Sequence, residues 1–156
     1  MVLEYQGEGR LLELDVGLLA GTRRWRAYVE DLNAGARDDH PRASGRVPMT
    51  TLWYVEEGRV LGRVAIRHSL TQWLTDVGGH IGYDVRPSAR RRGHASAMLA
   101  ASLPVARGLG IDPALVTCLE ENVASRRVIE RCAGVLEDRR EGHLRYWVTT
   151  SPVKGQ

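Results

Sequence analysis

The sequence predicts a single α/β (α+β) domain in which helices flank one mixed central β-sheet, and three observations carry that expectation. The hydrophobic period switches between about 3.6 and 2 residues along the chain. Helical stretches fall between strand-like runs instead of in a separate block. The 156 residues, 43% of them hydrophobic, are enough for one core and contain no linker that would divide them. Two cysteines, Cys118 and Cys132, are too few for a disulfide framework or a Cys-rich zinc site. No apolar run approaches the ~18 residues of a membrane span. The expected setting is therefore cytoplasmic and reducing, with no membrane partner and no metal.

In chain order, the first periodic stretch covers 22–32. Trp25, Tyr28, Val29 and Leu32 recur there at i, i+3, i+4 and i+7, and Thr22 is placed to cap the helix. Residues 34–48 are rich in Gly, Asp, Pro and Arg, show no period, and read as a functional loop. Two strand-like runs, 51–56 and 59–67, meet at Glu57-Gly58 as a hairpin. A polar connection over 68–77 leads to a third strand, 78–86, which stops at Pro87. Ala95, Met98, Leu99, Leu103 and Ala106 trace a helical face through 92–107, which Pro104 should bend or end. Residues 114–119 read as a short buried strand. Asn122 caps a helix over 123–132, with Val128, Ile129 and Cys132 on its apolar side. Runs 134–140 and 144–149 form a final hairpin across 141–143, and its open edge is the expected surface of a homodimer.

The charge balance, 22 Lys and Arg against 19 Asp and Glu, is too even for a typical nucleic-acid binder. One stretch is locally basic. Strand 78–86 ends, a turn follows, and a helix begins with Arg90-Arg91-Arg92-Gly93-His94-Ala95. The first N–H groups of a helix are unpaired and its dipole is positive there, so such a start is an anion site, most naturally for a pyrophosphate. Gly93 lacks the Cβ that would block close approach. A solvated basic turn is the plain alternative. The dinucleotide-binding Gly-x-Gly-x-x-Gly and the Walker A pattern are both absent.

The run Gly82-Tyr83-Asp84-Val85-Arg86-Pro87, continued by Arg90-x-x-Gly93-x-Ala95, resembles the acyl-CoA-binding motif of the GCN5-related N-acetyltransferase (GNAT) superfamily. A strand ending at Cys118, followed by Asn122-x-x-Ser125 and Val128-Ile129-Glu130, is similar to that family's next motif. The further pattern Arg67-His68, Gly78-Gly79-His80 and Arg145-Tyr146-Trp147 resembles a bacterial branch of predicted acetyltransferases. The resemblance is firm over 78–134. It implies a single acetyltransferase domain over 1–156: a variable acceptor-side part (1–50), an acyl-CoA-binding core (51–134) and a C-terminal hairpin (135–150). It also implies a sheet splayed between the family's fourth and fifth strands, here 78–86 and 114–119, with acetyl-CoA as cosubstrate in the opening. Tyr83, Asp84 and Val85 would run beside the pantetheine, and the N–H near Tyr83 would polarise the thioester carbonyl. Arg90, Arg91, Arg92, Gly93, His94, Ala95 and Ser96 would surround the pyrophosphate, with Asn122 and Ser125 beside the pantetheine arm.

Two family positions are altered. The tyrosine that many members use as an acid toward the departing thiolate falls on Ile129, leaving Tyr146 and Ser125 as candidates. The common glutamate base falls on Gly79. His80, adjacent and of suitable intrinsic pKa, is the first candidate base, with Glu120 or His68 as others. His80 and His68 flank one connection and could approach each other, and a bulge at Gly78-Gly79 could aim His80 into the cleft. Trp53, Trp73 and Trp147 are candidates for an acceptor pocket or for the core. Cys118 is expected as a small buried hydrophobe. The function expected is transfer of an acetyl group from acetyl-CoA to a primary amine by direct attack, the acceptor being a small molecule or a peptide and not a nucleic acid. The alternative is a non-catalytic acyl-CoA-binding or regulatory module.

Overall fold

A computed structural model describes residues 2–9 and 22–151. Its helices are α1 (Val2–Gly7), α2 (Thr22–Ala34), α3 (His94–Gly108) and α4 (Val123–Arg131). Its strands are β1 (Met49–Glu56), β2 (Arg59–Arg67), β3 (Ile81–Val85), β4 (Ala114–Leu119), β5 (Val135–Arg140) and β6 (His143–Val148). They form two three-stranded antiparallel sheets, ordered β1-β2-β3 and β4-β6-β5. Helices α3 and α4 cover one face of the pair. The core there is built by Val64, Ile66 and Ile81 from the first sheet, Val116, Leu144 and Tyr146 from the second, and Met98, Leu99 and Ile129 from the helices. The helix α1 was not foreseen. The Thr22 side chain, expected to cap α2, lies outside the described residues.

Local chemistry sets the element ends. The Asn122 Oδ1 accepts the Ser125 N–H at 3.1 Å, giving the expected cap of α4. At its other end the Gly134 N–H reaches the Ile129 carbonyl and the Ala133 N–H reaches that of Glu130, a Schellman closure. Ala133 takes the left-handed conformation at φ 60°, while Gly134 is needed for space: a Cβ there would lie 2.5 Å from Ile129 Cγ2. Pro104 does not end α3, which runs on to Gly108. The carbonyl that loses its partner belongs to Ala100, an exposed residue, so water can replace the missing bond. The open edge of β5 carries Glu137, Asp138, Arg139 and Arg140 and a bulge between Leu136 and Asp138, features that discourage strand pairing.

The third strand departs most from expectation. Leu74–Gly78 forms a π turn inside the connection, so β3 starts at Ile81 and not at 78. Buried Arg145 fixes this connection to the second sheet. Its Nε donates to the Thr75 carbonyl at 2.8 Å, and its guanidinium pairs with Asp138 at 2.6 Å and Glu137 at 2.9 Å. The Thr117 hydroxyl adds a bond to the Val77 carbonyl at 2.8 Å. Gly79 then turns the chain at φ 64°, and His80 meets β4.

His80 joins the two sheets at two points. Its N–H donates to the Leu115 carbonyl at 2.7 Å, and the Leu115 N–H donates to His80 Nδ1 at 2.9 Å. An acceptor Nδ1 fixes the neutral tautomer with its proton on Nε2. Burial, and then the charge of Arg67, depress the His80 pKa below its ordinary value. The Arg67 guanidinium is itself held by the carbonyls of Gly78 and Gly79, at 3.0 and 3.1 Å.

Two outcomes check this joint. An alanine at Gly79 would combine a left-handed φ with a Cβ only 2.7 Å from the Leu115 oxygen, so Gly79→Ala should destabilise the fold by about 1–3 kcal/mol. Gly82→Ala, whose Cβ meets nothing nearer than Arg67 Nη1 at 3.7 Å, should have a much smaller effect in the same urea titration. Because the folded His80 pKa is depressed, its contribution is complete above the unfolded value and is lost as pH falls below about 6.5. In His80→Asn, whose amide oxygen can still accept from Leu115, that limb of the stability–pH curve should flatten.

Candidate active site: a strand edge leading into a phosphate-facing loop

Beyond His80 the two sheets are not hydrogen-bonded to each other. Both β3 and β4 leave the joint in the same direction. On β3 the Arg67 N–H donates to the His80 carbonyl and the Arg86 N–H to the Leu61 carbonyl, with Arg63 opposite Asp84 and Ala65 opposite Gly82. The even-numbered residues thus bond to β2, and alternation turns the backbone groups of Tyr83 and Val85 toward the gap. An extended chain with amides can pair with that edge as a further strand.

The strand runs through a short 3-10 turn, Pro87–Ala89, into the start of α3. Arg91 and Gly93 have φ of 64° and 84°, which turn the loop so that the first N–H groups of α3 face outward. Gly93, at the cap position, supplies no side chain to bond them, and a Cβ built on it meets nothing within 4 Å. His94 packs against Tyr54 with the rings tilted and their centroids 5.5 Å apart. Its Nε2 is buried without a hydrogen-bond partner among the described residues. A concave loop with outward N–H groups, two exposed arginines and an orphaned imidazole nitrogen suits a pyrophosphate.

The arginines of this loop divide into two kinds. Arg86 is hydrogen-bonded to Glu4 of α1, which also accepts from the Ser88 N–H at 2.9 Å. Arg90 makes a two-pronged pair with Glu8 at 2.6 and 2.8 Å, and its Nε donates to the Val85 carbonyl at 3.2 Å. The Arg86 hydrogen bonds, followed by the Ser88 N–H, hold the Glu4 carboxyl down at about 2. Arg90, expected to contact the pyrophosphate, is thus engaged in shaping the loop. Arg91 and Arg92 remain exposed on its outside.

Across the gap lies the start of α4. The Tyr83 hydroxyl is 2.7 Å from Ser125 Oγ, so the two motifs meet through a pair of hydroxyls. Burial pushes the Tyr83 phenol up to about 12, which keeps it protonated. Cys118 is buried, and burial raises its thiol pKa, so it is a packed side chain and not a poised nucleophile.

The four candidate catalytic groups do not converge. Ser125 is at the gap. His80 lies at the vertex with its only acceptor nitrogen occupied by Leu115, which leaves no lone pair for a substrate proton. The backbone turn expected at Gly78-Gly79 does re-aim His80, but toward β4. His68 Nε2 instead meets the Thr50 hydroxyl at 2.8 Å, so the two histidines part. Glu120 pairs with Arg139 of β5 at 3.0 Å, leaning away from the gap. Tyr146 is buried beneath α4, with its hydroxyl 3.4 Å from Glu130. Of the tryptophans, Trp73 is 65% exposed and Trp53 packs against Trp25. Sequence reasoning missed the Tyr83 hydroxyl and the Glu4 and Glu8 carboxylates. Glu4 lies on α1 and Glu8 just past its end, and no local signal says that they meet Arg86 and Arg90. Among the described residues, no group of three or more His, Cys, Asp or Glu side chains could hold a metal.

Comparisons with known proteins agree with this geometry. Several solved structures share the fold. *Mycobacterium smegmatis* RimJ in complex with CoA-disulfide is 22% identical, with a TM-score of 0.66 over 98% of this chain and 76% of that one. The *Campylobacter jejuni* N-acetyltransferase PseH, in complex with acetyl coenzyme A, is 9% identical, with a TM-score of 0.58 over 93% and 92%. A spermidine N-acetyltransferase SpeG chimera from *Vibrio cholerae* and hSSAT is 13% identical, with a TM-score of 0.57 over 81% and 76%. No curated protein gives a sequence match. Residues 20–135 match the family described as Acetyltransferase (GNAT) domain, and this places the chain in the GNAT acetyltransferase family, whose cosubstrate is acetyl-CoA.

Proposed function

We propose that the protein moves an acetyl group from acetyl-CoA to a primary amine by direct attack in the gap between β3 and β4. The observation that carries this reading is the Tyr83–Val85 backbone edge, which faces the gap and leads directly into the phosphate-facing loop. In this reading Tyr83 and Val85 hold the pantetheine amides, Asn122 and Ser125 line its other side, and the amides from Arg91 to Ser96 hold the pyrophosphate. The Tyr83 N–H stabilises the charge that develops on the thioester oxygen. The acceptor nitrogen forms its bond to the carbonyl carbon, the carbon–sulfur bond breaks, and the amine proton leaves to solvent. The thiol of CoA is a good enough leaving group that Ile129, standing where many relatives have tyrosine, does not prevent the reaction.

One observation favours a second reading. His80 is engaged by Leu115, Glu120 pairs with Arg139 and Tyr146 is buried against Glu130, as they would be in an acyl-CoA-binding module without catalysis. Free-thiol release from acetyl-CoA, measured with a panel of amines, separates the two. Amine-dependent release supports transfer, while calorimetric binding without release supports the module.

The cofactor assignment has its own check. Gly93→Val should leave the protein folded, at a stability cost of about 1–3 kcal/mol from its φ of 84°. It should weaken acetyl-CoA binding at least about tenfold, a change of 1.4 kcal/mol or more. Arg90→Ala should weaken binding less, since Glu8 already engages that side chain. Full affinity in folded Gly93→Val would remove the loop from the site.

A further inference from the structure

We infer that the cavity between the second half of α3, the end of α4 and the chain leaving β6 is a second ligand site. It suits a small apolar carboxylic acid with a neutral N–H beside its carboxylate, the chemistry of an N-acylated amino acid. The reading does not rest on acetyl transfer. The cavity measures about 390 Å³, a volume in the range of small-ligand sites. Ala100, Leu103, Pro104 and Arg107 recur at i, i+3, i+4 and i+7, so one face of α3 lines it. Cys132 and Ala133 close it at the end of α4. Ala100 lies six residues beyond His94, roughly 9 Å along the helix from the phosphate-facing end.

The walls define the ligand. Pro104 has no N–H, so the Ala100 carbonyl, which points along the helix toward it, lacks its intrahelical partner. Both residues line the cavity, which sets this acceptor in an otherwise apolar wall of Leu103, Pro104, Cys132 and Ala133. Arg107 is the one charged residue of the lining. It is exposed, and no other described residue pairs with it. The side-chain protons of the opposite wall are already used. The Thr150 hydroxyl donates to the Ile111 carbonyl at 2.7 Å, the Ser151 hydroxyl to Asp112 at 2.6 Å, and the Thr149 hydroxyl to the same carboxylate at 3.4 Å. A ligand carboxylate therefore meets Arg107, an adjacent N–H meets the Ala100 carbonyl in place of water, and an apolar side chain covers Leu103 and Cys132. The N–H is neutral because no acidic side chain lines the cavity: an ammonium would face Arg107 without a counter-charge.

Calorimetric titration with N-acetyl-L-leucine tests this, beside three analogues that each change one group. 4-Methylpentanoate lacks the amide, N-acetyl-L-leucinamide lacks the charge, and L-leucine carries a charged amine instead of the amide. N-acetyl-L-leucine should bind more tightly than each by about fivefold or more. Saturating acetyl-CoA should leave that binding in place. Arg107→Met should weaken it by about tenfold or more. Pro104→Ala is the sharper variant. Its new N–H satisfies the Ala100 carbonyl within the helix, so Tm should rise while the advantage over 4-methylpentanoate is lost. Absence of binding, displacement by acetyl-CoA, full affinity in Arg107→Met, or an advantage that persists in Pro104→Ala overturns the inference. None of these outcomes touches the acetyl-transfer reading, which free-thiol release decides.

Discussion

The geometry of this domain depends on the two hydrogen bonds between His80 and Leu115. One is an ordinary backbone bond that sets β3 beside β4. The other gives the Leu115 N–H to an imidazole instead of to a carbonyl, so the amide that would continue a strand ladder is already satisfied. The sheets are therefore fastened at one end and free to diverge from the next residue onward. Gly79 makes the turn that allows it, and Arg145 and Thr117 hold the preceding connection against the second sheet. The divergence leaves the Tyr83 and Val85 backbone groups aimed at a gap, where an amide-bearing ligand can bind as a strand.

Charge is arranged around the same strand with a division of labour. Arg86 is held by Glu4 of α1 and Arg90 by Glu8 just past its end, more than eighty residues earlier in the chain. Neutralised in this way, they brace the loop and add little net positive field. Arg91 and Arg92 stay outside, where they can attract an anion. Arg67 is occupied by two carbonyls near His80, and burial, followed by the Arg67 charge, disfavours protonation of that imidazole and so favours the joint. The opposite face of the first sheet carries the Arg63–Asp84 pair and the Trp25–Trp53 contact.

Elements with a clear period were legible in the sequence: the β1–β2 hairpin, the amphipathic faces of α3 and α4, and the Asn122 cap all depend on residues close in the chain. So was the turn into α3, because a glycine at a helix start states its own geometry. Features set by distant partners were not. The shortening of β3 follows from a π turn fixed by Arg145, seventy residues on. The persistence of α3 past Pro104 depends on which carbonyl is exposed. His80 looked like a base because its intrinsic pKa suits one, yet its role is decided by Leu115, whose position no local pattern reveals. The contacts of Glu120 with Arg139 and of Tyr146 with Glu130 were hidden for the same reason: their ends of the second sheet could be read, but not the direction in which the side chains point.

The central claim is that the gap-side edge of β3 beyond His80 pairs with no strand and receives acetyl-CoA. Amide hydrogen exchange, resolved by residue with and without the ligand, tests it most directly. The Tyr83 and Val85 amides should exchange readily in the free protein, in contrast to the paired amides of Asp84 and Val64's neighbours on β2. Saturating acetyl-CoA should slow both of them, together with the amides of the loop at Gly93, His94 and Ala95. Binding that leaves Tyr83 and Val85 unprotected, or protection of these two before any ligand is added, would contradict the account.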